Sequence, residues 1–81
     1  MKPERTQPKG QAVGIKQALR AVRAGLAKEV YYAKDADDQL VLPLLEAARE
    51  AGVPIHPVDS MKELGKLFKV QVPSAAAATT R

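Results

Sequence analysis

The chain contains no cysteine, one histidine and only three aromatic side chains, which are Tyr31, Tyr32 and Phe68. Without cysteine it can form neither a disulfide framework nor a thiolate metal site, and this composition is typical of a reducing compartment. The single histidine, His56, leaves too few ligands for a zinc site and gives no basis for a Ser-His-Asp triad. We therefore expect no metal, no cofactor and no catalysis.

Long apolar runs are also missing, since no stretch approaches the roughly 20 residues that a membrane-spanning helix needs. The first ten residues, MKPERTQPKG, lack the apolar segment of a secretory signal. We therefore expect a cytoplasmic protein with no membrane partner. A length of 81 residues fits one domain. Because aromatics are scarce, its small core must come from Leu, Val, Ile and Ala, which leaves little room for a deep substrate pocket.

Positive charge is concentrated in the first part of the chain. Residues 1–34 carry eight Lys or Arg and two Glu, a net of +6, whereas residues 35–81 carry five positive and seven negative charges, a net of −2. This asymmetry indicates a polyanion partner on one side of the molecule, and a solvated basic surface is the alternative. Residues 1–10 contain Pro3, Pro8 and Gly10 among charges and are predicted to be a flexible basic tail, with one domain over 11–81.

Residues 15–26 have the spacing of an amphipathic helix. One apolar stripe with intervals of three and four is formed by Ile15, Leu19, Val22 and Leu26. At about 100° per residue, a second stripe lies roughly a quarter-turn away and consists of Lys16, Arg20 and Arg23. The helix can therefore bury its apolar side while it presents three cations together, although an ordinary solvated helix face would look the same.

The remaining elements alternate between strands and helices. We predict strands over 29–33, 53–58 and 75–80, helices over 38–51 and 61–68, and leave open a short strand over 11–13. This order predicts an α/β fold, a three-layer α/β/α sandwich with a small mixed four-stranded sheet. The buried sides of the second and third helices are predicted to include Leu40, Leu44, Leu45, Ala47, Ala48, Ala51, Leu64, Leu67 and Phe68.

Prolines, glycines and polar residues set the expected ends of these elements. Pro43 is expected to start the regular part of the second helix, because proline has no N–H to donate. Pro54 and Pro57 indicate a strand at the edge of the sheet. Gly52 is a good helix stop, and Asp59 or Ser60 caps the third helix, with Ser60 having the spacing of a capping box to Glu63. The acidic group Asp35, Asp37 and Asp38 fits a helix N-terminus better than the alternative, a Mg²⁺ site.

The segment Gly14-Ile15-Lys16-Gln17-Ala18-Leu19-Arg20 resembles the opening signature of the kink-turn-binding ribosomal protein family. That signature is Gly, any residue, Asn or Lys, Glu or Gln, two residues, then Lys or Arg. Three more segments are similar in order and spacing: AKDAD at 33–37, SMKELG at 60–65 and VPSAAAA at 72–78. The likeness runs from about residue 11 to the C-terminus and is strongest with the small bacterial YbxF-type branch.

The resemblance implies binding to a structured RNA. Members of the family grip a sharply bent internal loop, the kink-turn, which is built on tandem sheared G·A pairs. The likeness places Lys16, Gln17 and Arg20 at the guanine edges, whose O6 and N7 atoms accept hydrogen bonds from such side chains. The helix N-terminus at Gly14 would offer free backbone N–H groups to a phosphate. Further contacts to the RNA backbone are implied for Arg23, Lys28 and Lys34.

A second group of residues would meet an extruded nucleotide. Asp37 matches a position where some members place a Glu on that nucleotide, and a helix cap is its other role. An apolar wall beside the base is implied for Val41, Val72 and Pro73, with Ser74 in the same loop. A simple loop under the core is the alternative. The expected partner is kink-turn RNA, either in ribosomal RNA, with the ribosome as a further partner, or in a structured leader RNA. The expected state is a monomer.

Several positions depart from the family pattern. Lys16 and Gln17 replace the archaeal Asn and Glu, and Ala24 stands where many members have an Arg. Pro73 and Ser74 replace small residues of the YbxF-type branch. These changes leave open a protein-interaction or ribosome-assembly module without kink-turn recognition. An enzyme is the third alternative, but the sequence has no cofactor-binding glycine pattern, so we expect none.

Overall fold

A computed structural model of the protein describes residues 10–70 and 73–80. Its elements are β1 (Gln11–Val13), α1 (Ile15–Arg23), β2 (Ala27–Ala33), α2 (Asp38–Glu50), β3 (Ile55–Val58), α3 (Met61–Leu67) and β4 (Ala76–Thr80). The predicted alternation, with the short first strand, is confirmed. The predicted tail falls on residues 1–9, outside the described residues, and on Gly10, whose carbonyl accepts a hydrogen bond of 2.9 Å from the Thr80 N–H.

The four strands form one mixed sheet in the order β1-β4-β2-β3. Strand β4 runs antiparallel to both β1 and β2, and β2 runs parallel to β3. The edge position predicted for β3 is confirmed. The carbonyl of Pro54 accepts a hydrogen bond from Val30 of β2, and that of Val58 accepts one from Lys34 just after β2, so these even-numbered positions face β2. Pro57 therefore faces outward, where its missing N–H costs the ladder nothing.

Helices cover both faces of the sheet, which confirms the predicted three-layer sandwich. Helices α1 and α2 pack against each other on one face, and α3 packs against β2, β3 and β4 on the other. Successive strand residues point to opposite faces. Tyr31 accordingly meets Phe68 beyond the end of α3, with their rings 5.3 Å apart. None of the helices in the described ranges is both long and apolar enough to cross a membrane.

Alanine lets α1 lie close to the sheet. Ala18 on α1 is fully buried, and so are Ala76 and Ala78 on the face of β4 that α1 covers, while Ala77 is buried on the other face. The largest fully buried side chains are Leu44, Leu64 and Val30. Small side chains on two facing elements shorten the distance between helix and sheet, so a chain with few aromatics can still fill its interior. The prediction that the alanine run is a closely packed strand is confirmed.

All three helices end with the same hydrogen-bonded turn, the Schellman motif. Its two bonds run from Gly25 to Val22 and Leu26 to Ala21 in α1, from Gly52 to Arg49 and Val53 to Ala48 in α2, and from Lys69 to Lys66 and Val70 to Gly65 in α3. The residue after each C-cap has a positive φ: 75° at Gly25, 73° at Gly52 and 59° at Lys69. The stop predicted at Gly52 is confirmed.

Three leucines predicted to be buried are exposed. Leu26 is 52%, Leu40 57% and Leu67 55% exposed. Because α1 ends at Arg23 rather than at residue 26, Leu26 follows the left-handed turn and leaves the apolar stripe. The buried stripe of α2 follows Val41, Leu44 and Ala48, which turns Leu40 toward solvent. Ala51 is exposed as well, because it is the C-cap of α2.

Pro43 does not start the regular helix, so that expectation is wrong. Helix α2 begins at Asp38, with Pro43 inside it. The ring removes the N–H that would reach the Gln39 carbonyl one turn earlier. Pro43 and Gln39 are both exposed, so water can satisfy that carbonyl. The cap predicted at Ser60 is confirmed, since its Oγ accepts a 3.1 Å hydrogen bond from the Glu63 N–H.

Lys69→Gly is expected to raise the free energy of unfolding by roughly 1 kcal/mol, because a non-glycine residue in the left-handed region carries about that penalty. Lys66→Gly, three residues earlier, is the matched control. It removes the same charge inside α3 and should lower stability by about 1 kcal/mol, the cost of glycine in a helix. Urea denaturation measures both. A loss of stability in Lys69→Gly would contradict the left-handed turn.

Candidate nucleic-acid interface

The start of α1 is fixed to the sheet by Gly14. Its φ of 106° and ψ of 152° lie in a region that only glycine adopts readily. The Gly14 N–H donates to the Ala76 carbonyl at 2.8 Å, and its own carbonyl accepts from the Ala18 N–H at 2.9 Å. A Cβ at Gly14 would meet no atom within 4 Å. The space beside the Cα of Gly14 is therefore open, so a ligand can approach the backbone there.

Helix α1 divides into a buried and a charged side. Ala18, Ala21 and Val22 are buried, while Ile15 and Leu19 are half-buried against the same core. The exposed side carries Lys16, Gln17, Arg20 and Arg23. Its first turn has no acidic residue. The predicted pairing of an apolar and a cationic stripe is therefore present, with the alanines closer to the sheet than the larger side chains.

The cations of α1 are not neutralised within the described part of the chain. No ion pair there involves Lys16, Arg20 or Arg23. Together with Leu19 and Ala24 they line one shallow, open depression. Gln17 lies on the other flank of Arg20, in a second depression toward β1. The structure thus brings Lys16, Gln17, Arg20 and Arg23 together on one surface, and we call these four residues the α1 basic face.

Lys28 and Lys34 lie far from each other and do not form a common surface. Both are exposed on or next to β2, six residues apart, so they lie about 20 Å from each other along the strand. Lys28 lines a depression with Gly52 and Pro54. The Lys34 Nζ atom lies 3.7 Å from Oδ1 of Asp59. Lys34 therefore offers a phosphate a partly neutralised charge.

Residues predicted to meet an extruded nucleotide differ in exposure. Pro73 is exposed, and Val72 lies outside the described residues. Val41 is 2% exposed and Ser74 6% exposed. The Ser74 hydroxyl donates to the Ala76 carbonyl at 2.8 Å. The side chains of Val41 and Ser74 thus point into the interior, and among the described members of the group Asp37 and Pro73 are exposed.

The acidic residues before α2 act as helix caps. Oδ1 of Asp37 accepts a 2.9 Å hydrogen bond from the Gln39 N–H, as the capping role predicts. Oδ1 of Asp35 accepts a 2.8 Å hydrogen bond from the Met61 N–H at the start of α3, which the sequence did not indicate. Among the described residues no three His, Asp or Glu side chains are arranged to hold a metal ion.

A polar cluster on the opposite sheet face was missed by the sequence analysis. The Tyr31 hydroxyl donates to Oε1 of Glu29 at 3.0 Å, and Oε2 of Glu29 lies 3.3 Å from Nε2 of His56. The rings of Tyr31 and His56 stack with centroids 5.0 Å apart. Burial raises the pKa of the Tyr31 phenol, and the neighbouring Glu29 carboxylate raises it further. The two-residue spacing of Glu29 and Tyr31 in a strand was the available signal.

Several bacterial proteins are similar to this chain over most of its length. An RNA-binding protein of Geobacillus sp. (strain WCH70) is 52% identical over 69 residues, which are 85% of this chain and 84% of that protein. The RNA-binding protein YbxF of Geobacillus stearothermophilus is 49% identical over the same shares. An RNA-binding protein of Caldanaerobacter subterraneus is 43% identical over 88% of this chain and 87% of its own.

Solved structures share the fold. The 15.5kD RNA-binding protein of Giardia lamblia superposes with a TM-score of 0.82 at 34% identity, covering 89% of this chain and 61% of that one. A protein of unknown function from Bacillus halodurans has a TM-score of 0.79 at 19% identity, covering 89% and 72%. The latter likeness concerns the fold alone.

The family assignment rests on a match over nearly the whole chain as well as on these relatives. Residues 2–81 match the ribosomal protein L7Ae/L30e/S12e/Gadd45 family. The resemblance stated from the sequence, including that to the YbxF-type branch, is therefore confirmed. This chain belongs to the ribosomal protein L7Ae/L30e/S12e/Gadd45 family.

Proposed function

We propose that this protein binds RNA and recognises the kink-turn through the α1 basic face. The observation that carries the proposal is that Lys16, Arg20 and Arg23 are exposed on one helix, and no ion pair in the described part of the chain neutralises them. Relatives about half identical to this chain are named as RNA-binding proteins. The function is binding, and no catalytic residue is assigned.

Electrostatics supply the affinity in this proposal. Each phosphate that a Lys or Arg neutralises releases condensed counterions, so binding weakens as salt rises. An intramolecular ion pair would have to break before such a contact could form. The three cations of α1 have no such pair among the described residues, so their charge is available to RNA. The exposed Lys28 can add to it, and Lys34 contributes less because Asp59 lies nearby.

Base recognition would come from three side chains near the start of α1. Lys16 and Arg20 are four residues apart, so they are neighbours on the helix surface, and Gln17 flanks them. Lys and Arg donate to O6 and N7 of guanine, and the Gln17 amide both donates and accepts. A regular A-form duplex keeps its major groove too narrow for such contacts, whereas a sharp bend opens it. A bent RNA with exposed guanines is therefore the ligand that fits.

A second contact would form at the start of α2. One carboxylate oxygen of Asp37 accepts a hydrogen bond from the Gln39 N–H. Because the side chain is exposed, the other oxygen is accessible to a nucleotide. Pro73 and Leu40 are exposed as well, and their apolar surfaces would contact the same nucleotide. This contact would help position an unpaired nucleotide, with α1 reading the pairs beside it.

The test compares wild-type binding to a kink-turn with binding to the same RNA whose tandem G·A pairs are replaced by Watson–Crick pairs. We expect at least about tenfold tighter binding to the kink-turn, since one good base contact contributes roughly 1–3 kcal/mol. Titration at several salt concentrations should show log Kd changing by about 0.7–0.9 per neutralised phosphate for each unit of log salt. Sedimentation should show one protein for each RNA.

Equal affinity for the two RNAs would contradict kink-turn recognition. A steep salt dependence with equal affinities would mean that α1 supplies only charge. Ribosomal RNA and structured leader RNAs from the same cell are the natural candidates for the target. Crosslinking followed by sequencing of the bound RNA identifies which of them carries the site.

A further inference from the structure

An apolar groove lies beside the α1 basic face, between the end of α1 and the strands β1 and β4. We call it the α1–β1 groove, and its lining includes Gln17, Arg20, Ala21, Ala24, Leu26 and Thr80. Ala24 and Arg20 also line the depression on the other side of α1. We propose that the α1–β1 groove binds an unstacked nucleobase of the RNA held by α1, an inference that rests on the proposed function.

The floor and one wall of the groove suit the flat face of a base. Ala21 and Ala24 contribute only methyl groups, so the surface between them is shallow and open. Leu26 forms a wall and is 52% exposed. Its N–H donates to the Ala21 carbonyl at 3.0 Å in the turn that ends α1. This bond fixes Leu26 beside the groove, and a base resting there would remove its apolar surface from water.

The rim of the groove carries groups that recognise a base. The Thr80 hydroxyl can donate and accept at the edge of a base, and the Arg20 guanidinium, whose N–H groups point to a guanine, offers its flat face for stacking. Bases that leave a helix are bound in this manner, with stacking on one face and hydrogen bonds at the edge. A free phosphate would find little here, because the groove is mostly apolar.

Charge decides between RNA and protein as the occupant. The groove shares Arg20 and Gln17 with the α1 basic face, whose three cations have no ion-pair partner among the described residues. A polyanion seated there neutralises these charges, whereas an apolar protein segment would leave them unpaired beside the interface. The groove and the basic face are continuous, so one RNA can occupy both.

Ala24→Gln separates groove occupancy from charge attraction, because it adds a long side chain without adding charge. The Gln side chain at this exposed C-cap would cover the groove, so we expect binding to kink-turn RNA to weaken about tenfold. Charge alone predicts no change, because the number of cations stays the same. Ala51→Gln is the matched control and should bind as wild type does. Ala24 has φ −81° and ψ −3°, Ala51 has φ −82° and ψ −4°, and a glycine follows each of them.

Leu26→Ser tests the wall without adding charge. We expect about threefold to tenfold weaker binding from the lost apolar contact. Leu67→Ser is its control, because Leu67 is 55% exposed on α3, on the other face of the sheet. It should bind RNA as wild type does. Thermal melts of all four variants should stay close to that of wild type, which shows that binding changes are not folding changes.

The occupant is identified by removing single bases from the RNA. One unpaired nucleotide, made abasic, should weaken binding to wild type but not to Ala24→Gln, since that variant has already lost the contact. The proposal is overturned if wild type prefers the kink-turn while Ala24→Gln binds it as tightly or more tightly, or if no abasic position couples to the variant. If wild type shows no preference for the kink-turn, the proposed function fails and the groove proposal with it.

Discussion

Arg20→Ala should weaken binding to kink-turn RNA by about 1–3 kcal/mol, which is roughly a 5- to 150-fold rise in Kd. The expected loss is large because Arg20 stands between the two depressions that flank α1. No ion pair in the described chain involves it, so its removal leaves no partner unpaired. Fluorescence titration against kink-turn RNA measures the change.

Arg49→Ala is the control for the charge lost at Arg20. Arg49 is exposed in the last turn of α2 and lies outside the α1 basic face. It should change the affinity by less than about 0.5 kcal/mol, the usual range for a surface substitution. The ratio between kink-turn and Watson–Crick RNA separates two roles: a base contact by Arg20 requires that ratio to fall in Arg20→Ala. An unchanged ratio would make Arg20 a phosphate contact instead.

Leu44→Ala should cost about 2–5 kcal/mol of folding free energy, the range measured for large-to-small changes in a packed core. Leu44 is fully buried and is among the largest buried side chains. A domain of this length has a total stability of roughly 4–12 kcal/mol, so the variant should approach unfolding at physiological temperature. Urea denaturation followed by circular dichroism gives the difference.

Leu40→Ala is the comparison within the same helix. Leu40 lies one turn before Leu44 but is 57% exposed, so its truncation should change stability by less than about 0.5 kcal/mol. Equal losses at the two positions would show that the buried stripe of α2 does not follow Val41, Leu44 and Ala48. The pair therefore tests the orientation of α2 against the sheet.

The order of the elements was predictable because local sequence patterns define each helix and strand. The cationic stripe of α1 depends only on helical spacing, and the structure places Lys16, Arg20 and Arg23 together as expected. The end of α1 was misjudged because Leu26 continues the apolar spacing. The left-handed turn at Gly25 interrupts the helix first, and local hydrophobicity does not record that turn.

The tertiary features of the site were beyond sequence reasoning. The bond from Met61 to Asp35 joins residues 26 positions apart, and the α1–β1 groove needs Thr80 of β4 beside the end of α1. The exposure of side chains near the start of α2 also depends on how the helix packs. Val41 fits an apolar wall by residue type, yet it lies on the side of α2 that packs into the interior. Such placements follow from how elements meet.

The outward position of Pro57 has a consequence for self-association. A sheet edge with free N–H and C=O groups can recruit a strand from another molecule and start aggregation. On β3 the outer edge lacks a donor at Pro57, and the other edge strand, β1, is only three residues long. Among the described residues, neither border of the sheet can therefore template a long ladder with a second copy.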